Sequence, residues 1–178
     1  MPARYLFTSE RLGFRTWEAR DLDSMHRLTS DKEVMKYFPK VLTRKETSAF
    51  ISKMQEMYEE YRYCFFPVEL KDDATFIGFT GLSLQDFEAP FTPLTDIGWR
   101  LAPEHWGKGY ATEGATRCLE YGFSTLHLDT IFAIAPAINQ PSIRVMEKIG
   151  MTRERTFKHP KLKDHPELES CVLYSIKD

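Results

Sequence analysis

The chain has 178 residues, with 24 Lys plus Arg against 26 Asp plus Glu and a formal charge of -2. That length supports one domain, residues 1–178, with its own apolar core, and a 42% hydrophobic content that includes 13 Phe and 8 Tyr excludes a disordered chain. No Lys/Arg block suits a nucleic-acid backbone, and the longest apolar run, Ile131 to Ile138, is broken by Pro136 and too short for a bilayer.

The first ten residues lack the pattern of a secretory signal, so the expected setting is cytoplasmic, without membrane or direct nucleic-acid contact. Cys64, Cys118 and Cys171 are odd in number and widely spaced, which predicts buried free thiols rather than a disulfide framework or zinc knuckle.

Arg11 to Trp17 alternates Leu12, Phe14 and Thr16 with Arg11, Gly13 and Arg15, predicting a strand with one buried face. Asp21 then predicts the N-cap of a short helix through Thr29. Thr43 and Glu46 form a T-x-x-E capping box, and Phe50, Met54, Met57, Tyr58 and Tyr61 follow at helical spacing. Tyr63 to Leu70 and Phe76 to Leu84 predict an antiparallel hairpin, with Thr95 to Leu101 as a third strand after a loop at Pro90 to Pro93.

Beyond Leu101 the period changes. Pro103 and the run WGKGYAT precede a helix whose Ala111, Ala115, Cys118, Leu119 and Phe123 share one face. Thr130 to Ala135 predicts another short buried strand. Asn139 and Pro141 then open a helix containing Val145, Met146 and Ile149, and Gly150 stops it. Phe157 and Cys171 to Ile176 supply closing strands. The fold class is α+β, with a mostly antiparallel sheet, a partly parallel junction and helices on both faces.

Two segments carry the chemistry. In Trp106 to Thr112, two glycines before a helix let main-chain amides converge on an anion at the positive end of the helix dipole. The alternative is a tight turn that uses Gly107 and Gly109 only for positive φ. The P-loop pattern is absent, and the dinucleotide pattern fails at Thr112. The second segment, Asn139 to Ser142, sets a polar side chain at a strand's carboxyl edge, where ligands often bind. Helix capping alone also accounts for Asn139.

Together, IGWRLAPEHWGKGYATEG and NQPSIRVMEKIGM resemble the GNAT superfamily of acetyl-CoA-dependent N-acetyltransferases, most closely its Rim-type branch. RLGFRTW, DKEVMKYFP, FIGFTGLS, EAPFTP and HPKLKDHP extend the resemblance over nearly the whole chain. It implies a mixed sheet splayed into a V between two central strands, with acetyl-CoA in the opening. It also implies transfer to a primary amine, on a protein N-terminus or a small molecule. The signature [Q/R]-x-x-G-x-[G/A] falls on Trp106, Gly109 and Ala111, and its first residue departs from the pattern.

By the same resemblance, main-chain groups of Trp99, Arg100 and Leu101 pair with pantetheine, and Asn139 contacts the pantetheine arm. The amides of Gly107, Lys108, Gly109, Tyr110, Ala111 and Thr112 face the pyrophosphate. Asp96 stands where relatives often carry Glu, as a base acting directly or through water, unless it is a surface or ion-paired carboxylate. Many members place Tyr where this chain has Met146, which cannot donate a proton, leaving Ser142 as the nearest hydroxyl. A main-chain amide of Trp99 to Leu101 would polarise the carbonyl.

His159-Pro160 and His165-Pro166 read first as loop turns, and His105 is a third titratable candidate. No compact ligand set predicts a metal. The acceptor would be defined by Phe87 to Pro93, the early helices and Phe157 to Glu169. A noncatalytic acyl-CoA-binding module is the competing class, and monomer and homodimer both stay open.

Overall fold

Residues 4–178 are described by a computed structural model. The chain begins with a narrow antiparallel pair, β1 (Phe7–Thr8) and β2 (Leu12–Phe14). The expectation of one buried face from Arg11 to Trp17 is corrected, because all three β2 residues and Arg15 are buried. The ring of Tyr5 covers Gly13, where an added Cβ would lie 2.4 Å from it. Arg15 is sealed by charge. Its Nη1 and Nη2 donate to Asp21 at 2.8 and 2.7 Å, and its Nε donates to Glu69 at 2.8 Å.

Asp21 is therefore the first residue of α1 (Asp21–Thr29) and not its cap; Arg20 holds the cap position. Helix α2 (Arg44–Tyr61) has the predicted capping box: Glu46 N donates to Thr43 Oγ1 at 3.2 Å and Thr43 N donates to Glu46 Oε2 at 2.8 Å. Its Met54 and Met57 are buried, whereas Tyr61, predicted on the same face, is exposed at the helix end.

The predicted hairpin is β3 (Phe65–Leu70) and β4 (Phe76–Gln85), and β5 (Leu94–Leu101) pairs antiparallel along its whole length with Gly78 to Gln85 of β4. Helix α3 (Tyr110–Ser124) carries the chain back to β6 (Thr130–Pro136), which runs parallel to β5. Next come α4 (Gln140–Lys148), β7 (Thr152–Lys158), the short α5 (Pro166–Glu169) and β8 (Ser170–Lys177). Strand β8 inserts between β6 and β7, giving one eight-stranded sheet in the order β1-β2-β3-β4-β5-β6-β8-β7.

Helices cover both faces. Phe50 of α2 meets Phe79 of β4 at 5.5 Å between ring centroids, while Gly114 of α3 lies against Thr80, the next residue and hence the opposite face. At Gly122 of α3 an added Cβ would sit 2.6 Å from Ile131 Cδ1, so the glycine permits this close helix–sheet approach. All three cysteines are free and buried. Among the described residues, no helix is long and apolar enough to cross a membrane.

Candidate active site

The parallel junction makes the site. Strands β5 and β6 share a single register pair, Asp96 with Phe132. Beyond it, Gly98 to Arg100 and Ile134 to Pro136 line opposite sides of a cleft of about 290 Å³. The sheet thus opens into a V with Asp96 at its apex.

Strand alternation assigns the main-chain groups of β5. Ala102 N donates to Ile77 O at 2.9 Å, so Arg100 and Gly98 turn their amides and carbonyls towards β4, whereas Trp99 and Leu101 turn theirs towards the opening. The expectation for Arg100 is corrected on this ground: it reaches the cleft through its side chain. The Leu101 carbonyl accepts from Trp106 Nε1 at 2.8 Å, which leaves its amide and the Trp99 groups for a ligand.

Asp96 is 8% exposed and accepts one hydrogen bond, from Gln85 Nε2 at 3.1 Å. Burial pushes its pKa up to about 7, against that hydrogen bond. A surface or ion-paired Asp96 is excluded. Gln85 was not singled out from the sequence, because its approach depends on the β4–β5 register.

Following β5, a short turn at Pro103–His105 leads to Gly107 at φ +70° and Gly109 at φ +81°, both in the left-handed region. Gly109 is the N-cap of α3 and gives no side-chain cap. Among the described residues, the amides of Gly107 through Thr112 have no backbone or side-chain acceptor. Six donors therefore gather at the positive end of a 15-residue helix.

Two distant residues brace this loop. Arg11 donates through Nε to Glu113 at 2.7 Å and through Nη1 to the Lys108 carbonyl at 3.1 Å, with its guanidinium 4.3 Å from the Tyr110 ring centroid. Glu113 also accepts from Ser9 Oγ at 2.6 Å and Arg11 N at 2.7 Å. Although burial pushes the Glu113 carboxyl up, these bonds hold it below its usual range, so the brace is charged. No local motif marks a contact spanning about a hundred residues, and sequence reading missed it.

On α4, Asn139 Oδ1 accepts from Ser142 N at 3.2 Å, so the capping role is present. Asn139, Ser142 and the buried Met146 also line the cleft. His159 opens the short turn Pro160–Leu162, as the sequence predicts, and also lines the cleft, its ring 4.3 Å from that of Phe87. Its Nδ1 accepts from Lys161 N, and burial lowers its pKa, which keeps the ring neutral near pH 7. His105 and His165 lie outside the cleft. Arg100 holds its guanidinium 4.0 Å from the Phe38 centroid and 5.2 Å from that of Phe79.

A family model described as an acetyltransferase (GNAT) domain matches residues 11–152. The uncharacterized N-acetyltransferase YnaD of Bacillus subtilis is 40% identical over 152 residues, 85% of each chain. The crystal structure of a GNAT-family acetyltransferase from Bacillus anthracis is similar with a TM-score of 0.80 and 36% identity, over 96% of both chains. RimL, a ribosomal-protein α-N-acetyltransferase solved with coenzyme A, shares the fold at a TM-score of 0.77 and 15% identity, over 97% of both chains.

Proposed function

Since the chain belongs to the GNAT family and is an acetyl-CoA-dependent N-acetyltransferase, we propose that the V between β5 and β6 holds the cosubstrate and that Asp96 handles the proton. The observation that carries this reading is the row of unpartnered amides from Gly107 to Thr112 beside an opening with a buried carboxylate at its apex. The donor set fits a pyrophosphate, which needs several N–H groups and no side-chain charge. The Trp99 carbonyl and the Asn139 side chain would hold the pantetheine arm, together with whichever of the Trp99 and Leu101 amides does not face the acyl carbonyl.

When bound, acetyl-CoA supplies an activated acyl carbonyl and a thiolate leaving group. The protein must present a neutral amine, receive its proton and donate a hydrogen bond to the carbonyl oxygen. A carboxyl near 7 is matched to the first two tasks, because it is largely ionised just above neutrality yet basic enough to take a proton directly or through water. The Trp99 or Leu101 amide, aimed into the opening, is the donor to the carbonyl. Met146 fills its place on α4 as an apolar wall, so Ser142 is the hydroxyl that α4 offers to assist departure of the thiolate.

Replacing Gly109 by Val tests the loop. A β-branched residue at φ +81° is strained, and its side chain shields the amides. The expected result is a tenfold or greater rise in the acetyl-CoA dissociation constant, measured by calorimetry, in a protein whose circular dichroism is unchanged. Undiminished affinity would remove the loop from the cosubstrate site.

A further inference from the structure

Acetyl transfer leaves the one permanent cation of the cleft without a task. Among its lining residues, Asp96 is the only carboxylate and Arg100 the only permanent cation. Among the described residues the Arg100 guanidinium has no carboxylate within salt-bridge distance, and its Nε is buried without an acceptor. A partly desolvated cation with unused N–H groups is costly unless something pairs with it. The rings of Phe38 and Phe79 hold the guanidinium in place, and its planar N–H edge suits two-point binding of a carboxylate or phosphate.

We propose that the acceptor is an amine that also carries an anion, with the anion seated on Arg100 and the amine delivered to Asp96. This rests on the assignment of Asp96 above. Asp96 and Arg100 lie on the same face of β5, four residues and about 13 Å apart along the strand. Gly98 between them has no side chain, and the ring of Phe65 lies against it. The charged ends of the trough are therefore separated by an apolar floor, which suits an amine and a carboxylate joined by several bonds or an aromatic ring. A polyamine has the wrong charge pattern, because its second ammonium would meet Arg100.

Acetylation of ω-amino acids of increasing length is measured beside the matching ω-amino amides and diamines, with 4-(aminomethyl)phenylacetate and its amide as the aromatic pair. The expected result is a preference in kcat/KM for the carboxylates of about tenfold to a hundredfold, the scale of a hydrogen bond to a charged group. Arg100→Gln should bring carboxylate and amide level, and Arg100→Lys should retain part of the preference. Wild-type enzyme that uses amides or diamines as well as the carboxylates overturns the proposal while leaving amine acetylation intact. A rise in the acetyl-CoA KM of Arg100→Gln with the acceptor ranking unchanged assigns the guanidinium to the cosubstrate, and also overturns it.

If no amine in the series is turned over, the catalytic reading fails on its own. Calorimetric binding of the N-acetyl ω-amino acids in the presence of CoA then decides the proposal. Tighter binding to wild type than to Arg100→Gln sustains it, and equal or absent binding defeats it.

Discussion

Asp96 combines two opposed effects in one side chain. Its carboxyl is pushed up to about 7 by burial, so between its ordinary pKa of 3.8 and that value the folded state holds a proton that the unfolded chain releases. Stability therefore falls as pH rises across this window, by at most about 4 kcal/mol at roughly 1.4 kcal/mol per unit. Activity moves the other way, because the base must be ionised. Asp96→Asn is expected to lose about a hundredfold or more in kcat, to abolish the acid limb of kcat/KM near pH 7, and to melt at a higher temperature than wild type at pH 8 but not at pH 4. A variant that retains both turnover and the acid limb would show that another group takes the proton. Alternation along β5 was enough to put Asp96 on a common face with Gly98 and Arg100. Its burial was not legible, since that depends on where β6 leaves β5 and on Gln85 arriving from β4.

Individual elements are coupled here by contacts far apart in the chain. The turn between β1 and β2 braces the loop before α3 through Arg11 and Glu113, with only part of the pair exposed. Removing the guanidinium should loosen the loop and not the chemistry. Arg11→Ala is expected to raise the acetyl-CoA KM by about fivefold, the equivalent of about 1 kcal/mol for such a pair, with kcat nearly unchanged in steady-state assays. Just after β2, Arg15 is 4% exposed between Glu69 and Asp21, the first residue of α1. Asp21→Asn leaves that cation partly unpaired and should cost about 3–5 kcal/mol in urea unfolding. Burial raises the Glu69 carboxyl, but the bonds from Arg4 and Arg15 hold it below its ordinary 4.5. Its contribution is thus present above pH 4.5 and lost as pH falls below it. The alternation in Arg11 to Trp17 foretold a strand but not this network, because a buried arginine and an exposed one are the same letter until their partners are known. The capping box at Thr43 was legible, since both partners lie within four residues.

At the scale of the molecule, the sheet consists of two groups of strands joined at one parallel register pair. Each group keeps its own ladder: β1 to β5 on one side and β6, β8 and β7 on the other. A ligand in the opening touches both. CoA at a hundred times its dissociation constant should add about 2.7 kcal/mol to the stability, visible as a higher melting temperature, and should slow amide exchange in Trp99, Leu101 and Gly107 to Thr112. Unchanged exchange at these amides under saturation would place the ligand elsewhere. The order of strands and helices was largely legible from periodicity and glycine placement. The insertion of β8 between β6 and β7 was not, because pairing of strands distant in sequence leaves no local trace.

The sulfur chemistry of the chain has a practical consequence. Burial raises the thiols of Cys64 and Cys118 far above neutrality and that of Cys171 to about 11, so all three stay protonated and shielded in the native state. A chromogenic disulfide reagent added during turnover should report the liberated CoA sulfhydryl against a silent protein background. Any slow colour from the enzyme alone then becomes a clock for its unfolding.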